Sequence, residues 1–261
     1  MTDPRTRVSG LVHARQELLS FCRSLTEDQW QAASQAEGWS VQDVVAHVGS
    51  GCHAIFTPAA LTIIRGTDIE RTNDDFVEIR RTWSSAQVLR EYETWSRRIV
   101  TLARAVVATP AQHISVRLAE LGRFPAGLLL TGALVFDHHT HLRFDVAPAV
   151  GRELRAPEPA QLAVSIEWMS AVLGNQIRAG GIAGLVAPLT LELRGRGGSK
   201  WTLAQSGVRA GTDKAAAATI VGQAGEFPEW ATRRAPWRNR SIELLGDAEY
   251  AATILDQVNV V

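Results

Sequence analysis

The chain has 261 residues, 46% of them hydrophobic and 21% charged, enough for one large domain or two moderate ones with a buried core. Its formal net charge of zero argues against nucleic acid or an anionic membrane as the main partner, since either is recognised through a clustered positive field. No run approaches the length of a membrane span, MTDPRTRVSG lacks the apolar core of a signal peptide, and two cysteines, Cys22 and Cys52, are too few for a disulfide framework. The expectation is a cytoplasmic protein.

The first half reads as helices. Leu11, Leu18, Cys22 and Leu25 fall near one helical face. Ser40 stands where an N-cap is wanted, and Asp43 three residues on completes a capping-box pattern. A second helix therefore starts at Val41 and carries Val44, Val45 and Val48 on one stripe. Val88, Tyr92, Trp95, Ile99, Leu102 and Val106 step by fours and threes, the seam of a long third helix facing a bundle. After the breaker RFPAG, residues 126 to about 144 read as a fourth helix, apolar early and histidine-rich late. Residues 1–148 are thus expected to form an up-and-down four-helix bundle.

The texture changes over 146–160, where VAPAVGRELRAPEPA carries three prolines and two arginines, and residues 149–160 are read as a linker. A helix is expected over 161–178, then a hairpin in which PLTLEL (188–193) and KWTLAQ (200–205) flank the turn RGRGGS. A third strand at 216–222, a short helix in EFPEWATRR and a fourth strand in SIELLG follow. Asp247 caps a last helix with Tyr250, Ile254 and Val258 on one face. Residues 161–261 make a small α+β domain, and the whole chain an α+β two-domain protein.

The residues able to carry chemistry are few. Asp137 and His141, four apart, share one face of a helix, and His47 sits on the edge of the valine stripe of another. An imidazole nitrogen and a carboxylate oxygen can converge on one divalent ion, His47 can add a third ligand across the bundle, and three protein ligands leave the open position of a catalytic ion. His138, three residues before His141, competes with Asp137 for the ligand role, and His139 points the other way, to a supporting or surface position. The same residues also fit a hydrogen-bonded core histidine at 47 and a solvated helix end at 138–141. RGRGGS lacks the ending of a phosphate loop and is a turn. Cys22 reads as packing, Cys52 is poorly placed to share an ion with His47, and Arg233 and Arg234 are either a carboxylate fork or a solvated face.

Three stretches together carry a resemblance: W-S-V-x-D-V-V-A-H from Trp39 to His47, Asp137-x-x-x-His141 followed by Asp145, and GQAGEFPEWATRRAPWRNRSIELLGD over 222–247. The first is similar to the entry motif of the DinB-like metal-binding bundle. The set, in this order and over nearly the whole chain, resembles the mycothiol-dependent maleylpyruvate isomerase family of actinobacteria. That resemblance implies a zinc-type ion held by His47, Asp137 and His141, with Arg234 as the catalytic and cofactor-binding arginine that holds a substrate or thiol carboxylate. It also implies mycothiol as cosubstrate, a small electrophile as substrate, and a sterol-carrier-like second domain. Three departures stand out. The isomerases carry glutamate where this chain has Asp137, the family often has glycine where this chain has Arg233, and His141 and Asp145 are four apart rather than three.

The chemistry so implied is that a thiol loses its proton at the open metal position and its thiolate attacks an electrophilic carbon. On a cis alkene conjugated to a carbonyl, addition, rotation and elimination give cis–trans isomerisation; on a carbon bearing a leaving group, the outcome is S-transfer. Two other readings stand beside it: a metal-dependent hydrolase, and a non-catalytic protein whose second domain encloses a small apolar ligand.

Overall fold

Helix α1 (Pro4–Cys22) begins on proline, whose missing N–H is no loss in a first turn, and buries Leu11, Ala14, Leu18 and Cys22. Thr26 and Gln29 cap the short α2 (Glu27–Gln31) reciprocally. Ser40 does the same for α3 (Val41–Ala54): its hydroxyl accepts from the Asp43 N–H while the Asp43 carboxylate accepts from the Ser40 N–H. The structure, a computed structural model, describes residues 1–260. Two helices that the sequence reading leaves unassigned follow, α4 (Ala59–Arg65) and α5 (Ile69–Glu78).

Helix α6 (Ser85–Val107) buries Val88, Tyr92 and Ile99 as expected, but Val100, Ala103 and Val107 then replace Leu102 and Val106, which are only half-buried. A straight helix drifts away from a strict four-three seam, so its buried stripe rotates along the axis. A small antiparallel hairpin, β1 (Ser115–Leu118) and β2 (Gly122–Pro125), precedes the fourth bundle element. That element is one continuous helical run: α7 (Ala126–Leu128), a π-wound stretch Leu129–Ala133, α8 (Leu134–Thr140), and a second π-wound stretch His141–Val146. Helices α1 and α3 each pack on α6 and on α8, enclosing a core that includes Leu18, Val44, Val45, Val88, Tyr92, Leu142 and Val146.

Contacts divide the chain into two compact units: residues 4–155, and residues from 156 onward with residues 1–3. The second unit opens with α9 (Pro159–Arg178) and builds a five-stranded sheet from β3 (Leu189–Arg194), β4 (Lys200–Ala204), β5 (Gly207–Ala210), β6 (Ala218–Gln223) and β7 (Glu243–Gly246), in the order β5-β4-β3-β6-β7. Only the β3–β6 pair is parallel. The glycine-rich turn joins β3 to β4, with Gly195 and Gly197 at φ +96° and +80°, a conformation that glycine adopts without strain. Between β6 and β7 lies α10 (Phe227–Ala231), and α11 (Ala248–Leu255) is capped by the Asp247 carboxylate, which accepts from the Tyr250 N–H. Among the described residues no single helix is long and apolar enough to cross a membrane.

Candidate metal centre

His47 lies on α3, Asp137 on α8, and His141 opens the second π-wound stretch. One nitrogen or oxygen from each comes together so that the three atoms all lie within 4.8 Å of one another. His47 Nε2 is 3.9 Å from Asp137 Oδ2, and the His47 and His141 rings meet edge to face at 4.9 Å. The side chains of His47, His141 and Asp137 are 8%, 15% and 31% exposed, so the cluster opens on the aspartate side. Burial, and then the neighbouring His141, hold the His47 pKa well below the ordinary imidazole value. The ring is therefore neutral, the form in which imidazole binds a metal.

His141 is backed by a carboxylate. Its Nδ1 and Asp145 Oδ2 are 2.7 Å apart, and Asp145 is buried, so Nδ1–H donates and the Nε2 lone pair is left for the cluster. The backbone N–H of His141 is shared between the carbonyls of Asp137 and His138 as α winding passes into π winding, a local irregularity common at functional sites. Two imidazoles and one carboxylate suit a zinc-class divalent ion. The neutral His47 has the protonation that such a donor set requires, and the Asp145 carboxylate orients His141 toward it.

The neighbouring histidines separate cleanly. His138 is buried outside the cluster, its Nδ1–H donating to Leu134 O at 2.6 Å and its ring 5.5 Å from that of Tyr92; burial pushes its pKa down to about 4. The atoms that converge with His47 and His141 are those of Asp137. His139 is neither beside the cluster nor at the surface: it is buried, its ring 6.1 Å from Phe144, with its pKa pushed down to about 3 by burial. Two residues from Asp137 it turns away from the cluster as expected, but what it meets there is packed protein. Both cysteines are buried and free, and burial raises the Cys22 thiol to about 12 and lifts Cys52 well above its usual value.

Trp39 was legible only as part of a motif. Its ring lies 5.2 Å from that of His47 and 6.4 Å from that of His141. Arg234 belongs to the second unit, where it is half-buried just after α10 and its backbone N–H donates to Glu229 O at 3.0 Å. Arg233 beside it has φ +57°, and its guanidinium donates to the Val258 and Asp256 carbonyls.

The sequence profile of the mycothiol maleylpyruvate isomerase N-terminal domain matches residues 11–147. Among solved structures, that of a mycothiol-dependent maleylpyruvate isomerase aligns at TM-score 0.60 and 15% identity, covering 94% of this chain and 95% of that one. A mutant of such an enzyme aligns at TM-score 0.58, again at 15% identity, over 90% of this chain and 93% of its own. At that identity the likeness speaks for the fold. No curated protein matches the sequence.

Proposed function

The chain belongs to the mycothiol maleylpyruvate isomerase family, and from that premise we propose that it is a metal-dependent enzyme that uses a low-molecular-weight thiol, mycothiol by family, on a small electrophilic substrate. The observation that carries the reading is the convergence of His47, Asp137 and His141, with His141 backed by Asp145. These three residues are the ones that hold the ion, zinc by donor type. A divalent ion there supplies a Lewis acid that makes a thiol acidic enough to be a thiolate at neutral pH.

The chain's own groups do the rest. Burial keeps His47 unprotonated and so available as a ligand. Asp145 fixes the proton of His141 on Nδ1, and Asp137 brings negative charge to the open side of the cluster. Arg234 is assigned to a substrate or thiol carboxylate, which its planar guanidinium can grip with two parallel hydrogen bonds. The reaction class is cis–trans isomerisation by reversible thiol addition to an alkene conjugated to a carbonyl, with S-transfer as the neighbouring outcome on a substrate that bears a leaving group.

Elemental analysis of the purified protein tests the reading first. About one zinc-class ion per chain is expected from a three-ligand site, with loss of the ion in His47→Ala and Asp137→Ala. Activity toward a conjugated cis alkene should then require added thiol. Protein that neither contains nor takes up zinc would refute the metal reading, and turnover that needs no thiol would favour hydrolysis.

A further inference from the structure

Trp39 is fixed twice. In the turn before α3 its N–H donates to Ala36 O at 3.1 Å, and its carbonyl accepts from the Ser34 N–H and hydroxyl at 2.9 and 2.8 Å. Gly38, at φ +77°, allows the chain to turn there. The indole N–H then donates to Asp74 Oδ1 at 3.1 Å. Between these two ties the ring stands against both histidines of the cluster.

Asp74 sits on a helix braced at each end. At the start of α5 the Ile69 N–H donates to Glu120 Oε1 at 3.1 Å, and the Asp68 carboxylate accepts from the Arg71 N–H at 2.9 Å. Just past its end the Arg80 guanidinium grips the buried Glu91 carboxylate through Nε and NH2, at 2.5 and 2.7 Å, and donates to Phe76 O at 2.7 Å. Helix α5 packs on α3 through the buried Thr72 and Val77, so packing and these polar contacts together set where it lies. The Asp74 carboxylate is exposed, yet it is held where a fixed acceptor meets the indole.

We propose that Asp74 and Trp39 are a positioning pair for the metal-binding histidines: the carboxylate fixes the indole, and the indole fixes the two imidazoles and shields their faces from water. The inference rests on the metal reading of the cluster. Its physical basis is preorganisation. Imidazoles already held in place lose less rotational freedom on binding an ion, and a less watery surrounding strengthens the attraction between ion and carboxylate.

The test is cobalt(II) and zinc affinity, measured on metal-stripped protein by chelator competition, together with the visible spectrum of the cobalt form. Asp74→Leu and Trp39→Phe are each expected to weaken binding roughly tenfold, the low end of what loss of support around metal ligands produces. Asp74→Asn should stay within about twofold of the parent, because its amide oxygen can still accept from the indole N–H. In the Trp39→Phe background Asp74→Leu should change nothing further, since the hydrogen bond is already gone. Because Asp74 is exposed, its two variants are expected to fold, and their contrast stands without the tryptophan variants. Parent-like affinity in Asp74→Leu, or an undiminished loss in the Trp39→Phe background, would overturn the pair while leaving the metal site standing. A parent protein that binds no cobalt would overturn the metal reading and the pair with it.

Discussion

Removing the Asp145 carboxylate is the sharpest probe of how the cluster is prepared. The group is 1% exposed and its Oδ2 is 2.7 Å from His141 Nδ1, a part-buried hydrogen bond to a carboxylate acceptor. In Asp145→Ala the His141 ring loses the partner that fixes its tautomer and its orientation. Loss of such a partner lowers metal affinity about 10- to 100-fold, or roughly 1.4–2.7 kcal/mol. Asp145→Asn retains an acceptor but not the charge, so it should lie between alanine and the parent. The unpartnered Nδ1–H also lowers the stability of the metal-free protein, by about 1–3 kcal/mol. Affinity must therefore be read by chelator competition well below the unfolding temperature, with stability measured separately on metal-free protein. Imidazole nitrogen NMR of the parent should show His141 protonated on Nδ1. The reasoning fails if Asp145→Ala loses stability while its zinc affinity stays within about twofold of the parent, because the carboxylate would then hold the helix and not the ligand.

Three further expectations test the surrounding structure. An aromatic disulfide reagent at pH 8 should titrate neither cysteine in the native protein and both after unfolding, since burial pushes the Cys22 thiol up to about 12 and Cys52 is equally enclosed; rapid reaction of the folded protein would contradict this. Arg233 has φ +57°, so Arg233→Gly should match or exceed the parent in thermal stability while Arg233→Val falls about 1–2 kcal/mol below it; equal midpoints for all three would remove the strain argument. Glu91→Ala leaves the Arg80 guanidinium buried without its carboxylate and His53 Nδ1 without its partner and should lower stability in denaturant by about 3–5 kcal/mol, whereas Arg80→Met with Glu91→Leu should recover the part due to the unpaired guanidinium.

Much of the first unit could be read directly because its signals are local. The Ser40–Asp43 reciprocal cap and the valine stripe behind it fix where α3 begins and which face it buries. Helix α4 gives no such signal, since it buries no residue, whereas α5 does carry one, an Asp68 cap followed by Ile69, Thr72, Phe76 and Val77 on one face, which the sequence reading passes over. The short strands β1, β2 and β5 are too brief to show alternation against chance. Nor does the sequence separate Asp137 from His138. Residues three and four before His141 are both its neighbours on a helix, and only the His138 Nδ1–H bond to Leu134 O turns that ring away. The π winding at His141–Val146 was equally silent, because one widened turn barely shifts a hydrophobic pattern.

The two sides of the cluster rest on different physics. His47 shares α3 with Val44, Val45 and Val48, and His141 is followed by Leu142 and Val146, all of them in one buried core. Packing at interior density therefore sets the distance between the two imidazoles, and a change of one methylene in those valines would move a ligand. The opposite side is built from a half-exposed Asp137 and from Trp39, whose indole N–H donates to Asp74 on α5. Trp39 is half-buried and packs against the same core, so a substitution there is felt on both sides. One side of the cluster is thus set by core packing, the other by packing together with the single hydrogen bond from the Trp39 indole to Asp74.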